Sequence, residues 1–338
     1  MVEKGTVLVT GGSGFLGGWC IATLLDDGYA VRTTVRDLAR EDEVRRAVAA
    51  ATDPGDRLAV VAADLLRDEG WADAVSGCDY VLHVASPLPD RQPKDPDELI
   101  VPARDGTLRV LGASLDAGVK RVVITSSVAA IRGGAGDGAV LTEDDWSDAG
   151  DESITPYSRS KTAAEQAAWA LVRERGAEDR LAVVNPGAIL GPLLSDDPSF
   201  SLQVVERMLG GMPGVPKLGF SFVDVRDVAG LHLLAMTRPE AGGERFIAVE
   251  EFLWMSEVAA VLRERLGERA AKVPTRTVPN LGVRLMALFD PSLRSIVPDL
   301  GKKVTYSAEK AKTRLGWSPR PVGDTITDTA ESMLARAG

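Results

Sequence analysis

The sequence predicts an α/β fold, a doubly wound parallel sheet with a smaller C-terminal lobe. Over the first two thirds of the chain, short β-branched runs alternate with helical segments, the signature of βαβ units. Those runs are almost continuously apolar, as strands covered by helices on both faces are. After Pro186, proline and glycine cluster at Gly187 to Pro192 and at Met212 to Gly219, and the alternation breaks down.

Thr6 to Thr10 is the first strand, bounded by glycine, and Phe15 to Leu25 a helix that stops at Asp26-Asp27-Gly28. Tyr29 to Val35 reads as the second strand, followed by a charged amphipathic helix at about Asp42 to Ala51. Leu58 to Ala62, Tyr80 to Val84, Arg121 to Thr125 and Leu181 to Asn185 supply four more strands, and Phe246 to Val249 returns one to the sheet. Gly133 to Gly138 reads as a surface loop. The expected division is a nucleotide-binding domain over 1–186 with a returning segment at about 222–250. A discontinuous substrate lobe then spans 187–221 and 251–338.

The chain has 338 residues, an apolar fraction of 45% and a net charge of −10. That acidity argues against nucleic acid as a partner, because phosphate contacts need a basic face. Cys20 and Cys78 form no CxxC pair, which favours a reducing, cytoplasmic setting over a disulfide framework. With two histidines and scattered cysteines, no metal site is expected. The N-terminus runs straight into a strand and no long apolar run follows, so neither signal peptide nor membrane span is expected.

Between the first strand and first helix lies Thr10-Gly11-Gly12-Ser13-Gly14-Phe15-Leu16-Gly17. A glycine turn that opens a helix aims backbone N–H groups and the helix dipole at a pyrophosphate, the arrangement of a Rossmann-type dinucleotide site. Gly11, Gly14, Phe15, Leu16 and Gly17 are therefore the expected phosphate contacts. The second strand ends Thr33-Thr34-Val35-Arg36-Asp37, with Val35 where an NAD site would carry its ribose acid. A guanidinium at Arg36 grips a 2′-phosphate that a carboxylate would repel, which favours NADP(H). The competing reading makes Asp37 the ribose acid and Arg36 a surface charge. Asp64 and Leu65 are expected at the adenine, with Asp64 equally suited to cap a helix. Val84, Ala85, Ser86, Thr125, Pro186 and Ile189 are expected along the same strand ends, and His83 reads as a packed strand residue.

Tyr157-Ser158-Arg159-Ser160-Lys161 puts a phenol and an ammonium one helical turn apart on one face, with Pro156 at the helix start. A free tyrosine titrates near 10, and a nearby ammonium lowers that value toward useful acid–base chemistry. Ser126 and Ser127 follow the fifth strand, where a hydroxyl can stabilise charge on a carbonyl oxygen. Each motif alone is common. Their convergence on one sheet edge is specific.

Together with HVASP, TEDDW, VNPGAILGP, FVDVRDVAGLHL and EKAKTRLGWSPRP, these stretches make the chain resemble the extended short-chain dehydrogenases/reductases over essentially its whole length. The resemblance is to the dihydroflavonol reductase and NADPH-dependent aldehyde (ketone) reductase branch. It implies Tyr157 as general acid, Lys161 lowering its pKa and binding the nicotinamide ribose, Ser127 polarising the carbonyl, and Pro186 beside the nicotinamide. It implies reversible reduction of an aldehyde, ketone or keto ester by NADPH, in a monomer or homodimer. Pro87, Leu88, Val128, Gly187, Phe200, Gln203 and Phe222 are the candidate pocket residues. The apolar character of Ser86-Pro87-Leu88-Pro89 and Val128-Ala129-Ala130 argues against a polyphenol substrate. The alternatives are a nucleotide-sugar epimerase or dehydratase, with Arg226 as its diphosphate contact, a hydroxysteroid dehydrogenase, and a non-catalytic NADP sensor.

Overall fold

The computed structural model describes residues 4–87, 95–195, 201–289 and 296–337. The chain begins β1 (Thr6–Thr10), α1 (Phe15–Asp26), β2 (Ala30–Val35), α2 (Glu41–Ala49), β3 (Leu58–Ala62), α3 (Trp71–Val75) and β4 (Tyr80–His83). Next come α4 (Asp97–Asp116), β5 (Arg121–Thr125), the single turn α5 (Ala129–Arg132), β6 (Val140–Leu141) and α6 (Pro156–Glu174). β7 (Leu181–Pro186) and β8 (Ala188–Leu190) follow, then α7 (Leu202–Leu209), β9 (Val215–Pro216), β10 (Gly219–Asp224), α8 (Val225–Thr237) and β11 (Glu244–Ala248). The C-terminal part holds β12 (Glu251–Trp254), α9 (Met255–Leu266), β13 (Thr277–Val278), α10 (Asn280–Phe289), β14 (Thr305–Tyr306), α11 (Glu309–Leu315) and α12 (Val322–Ala337).

Seven strands form one sheet in the order β11-β7-β5-β4-β1-β2-β3, and every neighbouring pair is parallel. The strand order reverses at β1, so a crevice opens between the C-terminal ends of β1 and β4. One apolar core covers the face with Val9, Leu82, Val123 and Phe246, and a second covers the face with Leu8, Val81, Val122 and Leu181. Full burial of a side chain such as Leu8 or Leu82 contributes on the order of 2 kcal/mol.

The lobe has its own core around Leu190, Leu202, Phe222, Met255, Leu262 and Ile326. Its sheet runs β12-β10-β8, with β10 antiparallel to β12 and parallel to β8. Phe222, counted with the returning segment from sequence, thus belongs to the lobe sheet. The part that returns to the main sheet is α8 and β11, whose register begins at Glu244 against Ala182. Ion pairs and hydrogen bonds tie the start of α8 to the C-terminal segments. Asp224 caps α8 by accepting from the Arg226 amide at 2.8 Å, and the Arg226 guanidinium reaches both Asp224 and, at 2.5 Å, Asp328 of α12. Asp227 accepts from the Arg320 amide at 2.8 Å, and its own carbonyl accepts from Trp317 Nε1 at 2.9 Å. Among the described residues, no helix is long and apolar enough to cross a membrane.

Candidate active site

The glycine loop lies where β1 hands over to α1. Gly11 adopts φ 76°, a left-handed conformation that favours glycine, and its carbonyl accepts from the Gly14 amide at 3.0 Å. A Cβ on Gly17 would stand 2.2 Å from the Gly11 carbonyl oxygen, so α1 packs on the loop only with hydrogen there. The helix begins with Gly14 as N-cap, no capping side chain and no acid in its first turn. Phe15 is half-buried and Leu16 buried, and with no capping side chain the first amides of α1 have the character of an anion site.

At the end of β2, Arg36 is exposed and makes no ion pair among the described residues. Asp37 accepts from the Ala39 amide at 2.9 Å and caps a short 3₁₀ turn, which counts against its serving as a ribose acid. Asp64 accepts from the Leu66 amide at 3.0 Å within a turn, and α3 starts only at Trp71, so it caps no helix. Leu65 packs against Gly106 of α4. Val84, Ala85, Ser86 and Pro87 leave β4 half-buried, and the Ala85 amide donates to Thr10 Oγ1 at 3.0 Å. His83 is buried against Thr10, 2.9 Å from its hydroxyl, and burial holds the imidazole neutral, down to about 3.

On the other side of the crevice, Thr155 accepts from the Ser158 amide at 3.1 Å and starts α6, with Pro156 in the first turn. Tyr157 and Lys161 follow one turn apart, about 6 Å along the axis. Tyr157 is 37% exposed as a residue, and its phenol lies beside the Ser127 side chain. Burial raises the phenol above its ordinary value and outweighs the lowering by Ser127, the reverse of the direction expected from sequence. The Lys161 ammonium is buried, donates to the Thr125 carbonyl at 3.4 Å, and is lowered to about 8 by burial, against an opposing pull from Glu165. Thr125 turns its hydroxyl away to His232, at 2.7 Å.

The two serines separate by direction. Ser126 Oγ donates to Glu165 Oε2 at 2.5 Å and faces the interior, while Ser127 Oγ accepts from the Ala129 amide at 3.1 Å and faces Tyr157. Pro186 is buried at the end of β7, where its carbonyl accepts from the Val128 amide at 3.0 Å. The Gly187 amide donates to Ala248 at 3.0 Å, and Ile189 lies half-buried in β8. Val128 and Gln203 are half-buried. Phe222 is 1% exposed and meets Phe220 edge-on at 6.0 Å within the lobe core, so it offers no surface to a pocket. Leu88 and Phe200 lie outside the described residues.

Below Lys161 is a cavity of about 20 Å³, lined by His83, Ser86, Thr107, Ser126, Lys161 and Glu165 among others. Glu165 was not anticipated. Its carboxylate is fully buried and pairs with Arg245 Nε at 2.6 Å, while Asn185 Nδ2 donates to it at 2.8 Å. Arg245 stacks on Trp146 at 3.6 Å and donates to the carbonyls of Glu143 and Asp145, which gives the TEDDW stretch a structural role. The sequence signal was an acid at i+4 from Lys161, preceded by Ala163 and Ala164. Arg226, by contrast, is taken up by Asp224 and Asp328 and is not available to a diphosphate.

Residues 7–248 match the NAD dependent epimerase/dehydratase family. The chain is 36% identical over 333 residues to cinnamoyl-CoA reductase 1 of Petunia hybrida, covering 95% of this chain and 96% of that one. To dihydroflavonol 4-reductase of Zea mays it is 34% identical over 277 residues, covering 79% and 76%. Among solved structures it is similar to yeast methylglyoxal/isovaleraldehyde reductase Gre2 complexed with NADPH. That match has a TM-score of 0.82 at 27% identity and covers 98% of this chain and 99% of that one. The chain therefore belongs to the NAD dependent epimerase/dehydratase family, the extended short-chain dehydrogenases/reductases.

Proposed function

We propose that this protein is an NADP(H)-dependent reductase that converts a carbonyl group to the alcohol, reversibly. The observation that carries the reading is the meeting of Tyr157, Ser127 and Lys161 at the same strand ends as the glycine loop. Gly11, Gly14 and the first turn of α1 would hold the pyrophosphate, Arg36 the 2′-phosphate, Lys161 the nicotinamide ribose, and Pro186 the nicotinamide face. The related reductase of known structure was solved with NADPH, which supports the cofactor choice. Bound NADPH supplies the hydride to the carbonyl carbon.

Ser127 donates a hydrogen bond to the carbonyl oxygen as charge grows there, and Tyr157 delivers the proton that completes the alcohol. A phenol held above its ordinary value is fully protonated at neutral pH, the state a general acid needs at the start. Lys161, charged below about pH 8, favours the phenolate that remains after transfer. We assign nucleotide binding to 1–186 with α8 and β11, and substrate recognition to the rest.

The substrate proposed is an aldehyde, ketone or keto ester. The similarity to cinnamoyl-CoA reductases favours an aryl acyl-CoA thioester as the second reading. NADPH oxidation at 340 nm should be followed against aldehydes, ketones, keto esters and a hydroxycinnamoyl-CoA. Turnover is expected with at least one class and lost in Tyr157→Phe while NADPH still binds. Strong residual turnover in that variant would remove Tyr157 from the mechanism.

A further inference from the structure

Glu165 sits one turn beyond Lys161 on α6 and is 1% exposed. Four donors meet its carboxylate: Arg245 Nε at 2.6 Å, Ser126 Oγ at 2.5 Å, Asn185 Nδ2 at 2.8 Å and Trp169 Nε1 at 3.4 Å. Ser126 precedes Ser127, and Asn185 precedes Pro186. One carboxylate thus ties the helix carrying Tyr157 and Lys161 to the two strand ends carrying the other site residues.

Stability alone is a poor reason for this arrangement. A buried ion pair is often no better than an apolar pair of the same volume, because desolvation cancels the attraction. Asn185 Oδ1 and Arg245 Nη2 are also buried without a hydrogen-bond partner among the described residues, which adds cost. What the cluster provides is a fixed negative charge facing Lys161 across the small cavity that both residues line.

We propose that Glu165, locked by Arg245, Ser126 and Asn185, is a positioning residue that keeps Lys161 an ammonium and sets α6 against the ends of β5 and β7. The inference rests on the proposed roles of Tyr157, Lys161 and Ser127. The groups that bear on Lys161 are few. Tyr157 and Glu165 come from its own helix, and His83 from β4 is held neutral. Arg245 of β11 lies behind Glu165. From β5 the Thr125 carbonyl accepts from it, and from α4 the cavity is lined by Ala103 and Thr107, which do not titrate. Burial already lowers Lys161 to about 8, and among the described residues Glu165 is the charge that opposes that fall.

The test compares wild type with Glu165→Gln, with Glu165→Gln/Arg245→Met, which removes both buried charges, and with Glu165→Asp, which keeps the charge. Lys161 is titrated in ε-¹⁵N-lysine-labelled protein, its signal assigned by loss in Lys161→Met. The alkaline limb of kcat/KM for carbonyl reduction is measured alongside. In both Gln variants the Lys161 midpoint and the limb should move down together by about one pH unit or more, while Glu165→Asp stays near wild type. At pH 8 that shift takes the charged fraction from about one half to about one tenth, a loss of roughly fivefold in rate. Unmoved midpoints in folded Gln variants would overturn the proposal. So would failure of both to fold while Glu165→Asp folds, since the carboxylate would then be a structural requirement. If no carbonyl is reduced and Tyr157→Phe changes nothing, the proposed reaction fails, and the Lys161 titration still judges Glu165.

Discussion

Gly17→Ala bears directly on the phosphate loop, and its size can be worked from the structure. The added Cβ would lie 2.2 Å from the Gly11 carbonyl oxygen, 3.0 Å from its carbon and 3.3 Å from Gly12 Cα. All three are backbone atoms, so no side chain can swing aside; α1 or the loop must move. Overpacking of this kind costs about 1–3 kcal/mol, offset by about 1 kcal/mol from replacing a helical glycine with alanine. The control is Gly230→Ala in α8, which gains the same propensity and meets nothing within 4 Å. Gly230→Ala should raise stability by up to about 1 kcal/mol, and Gly17→Ala should fall below it by about 1–3 kcal/mol in urea unfolding. Because the shifted atoms are the proposed phosphate donors, NADPH affinity by fluorescence titration should drop at least about tenfold, or 1.4 kcal/mol. If the two variants unfold at the same urea concentration and bind NADPH within about twofold of wild type, the steric reading of the loop is wrong.

Arg36→Ala should weaken NADPH by roughly ten- to a hundredfold, the scale of charged hydrogen bonds, and leave NADH almost unchanged. Equal losses for both cofactors would refute the 2′-phosphate role. In wild type, kcat/KM for reduction should decline above about pH 8 as Lys161 loses its proton, and a flat profile through pH 9 would contradict that role. Burial lowers His232 to about 4, so the unfolded chain binds a proton below its own value of about 6.5 that the native state refuses, and stability falls as pH falls through that window. By pH 5 His232 should have removed about 2 kcal/mol, at about 1.4 kcal/mol per unit. The pH 7 to pH 5 loss should shrink in His232→Asn, and an identical loss in the variant would sink the assignment.

The elements that sequence reasoning found are those whose pattern is local. β1, β3 and β5 have the predicted bounds, and α6 starts at Pro156 as the X-Pro and helix signals require. What was missed is held together across long stretches of chain. The lobe sheet pairs Ala188 with Phe222 and Phe222 with Glu251, and β6 at Val140 finds its partner at Thr305. No periodicity reports such pairings. Phe222 illustrates the cost: an aromatic in the variable part reads equally as pocket or core, and only the neighbours decide. The same holds for Tyr157, where spacing suggested a lowered phenol but the depth of the hydroxyl raises it. Arg245 and Glu165 lie on different elements, β11 and α6, and become a unit only when β11 pairs with β7.

That last pairing has a bearing on how the protein is made. β11 is the final strand of the main sheet, and the chain reaches it only after β8, α7, β9, β10 and α8. A growing polypeptide that has already emerged past α6 and β7 holds every proposed catalytic side chain, yet its Glu165 still lacks Arg245. The Asp227 carboxylate waits longer, for Arg320. Completion of the Glu165 cluster is therefore coupled to synthesis through β11, and a fragment ending before Glu244 should be captured by a chaperone or degraded rather than accumulate as a stable cofactor-binding half.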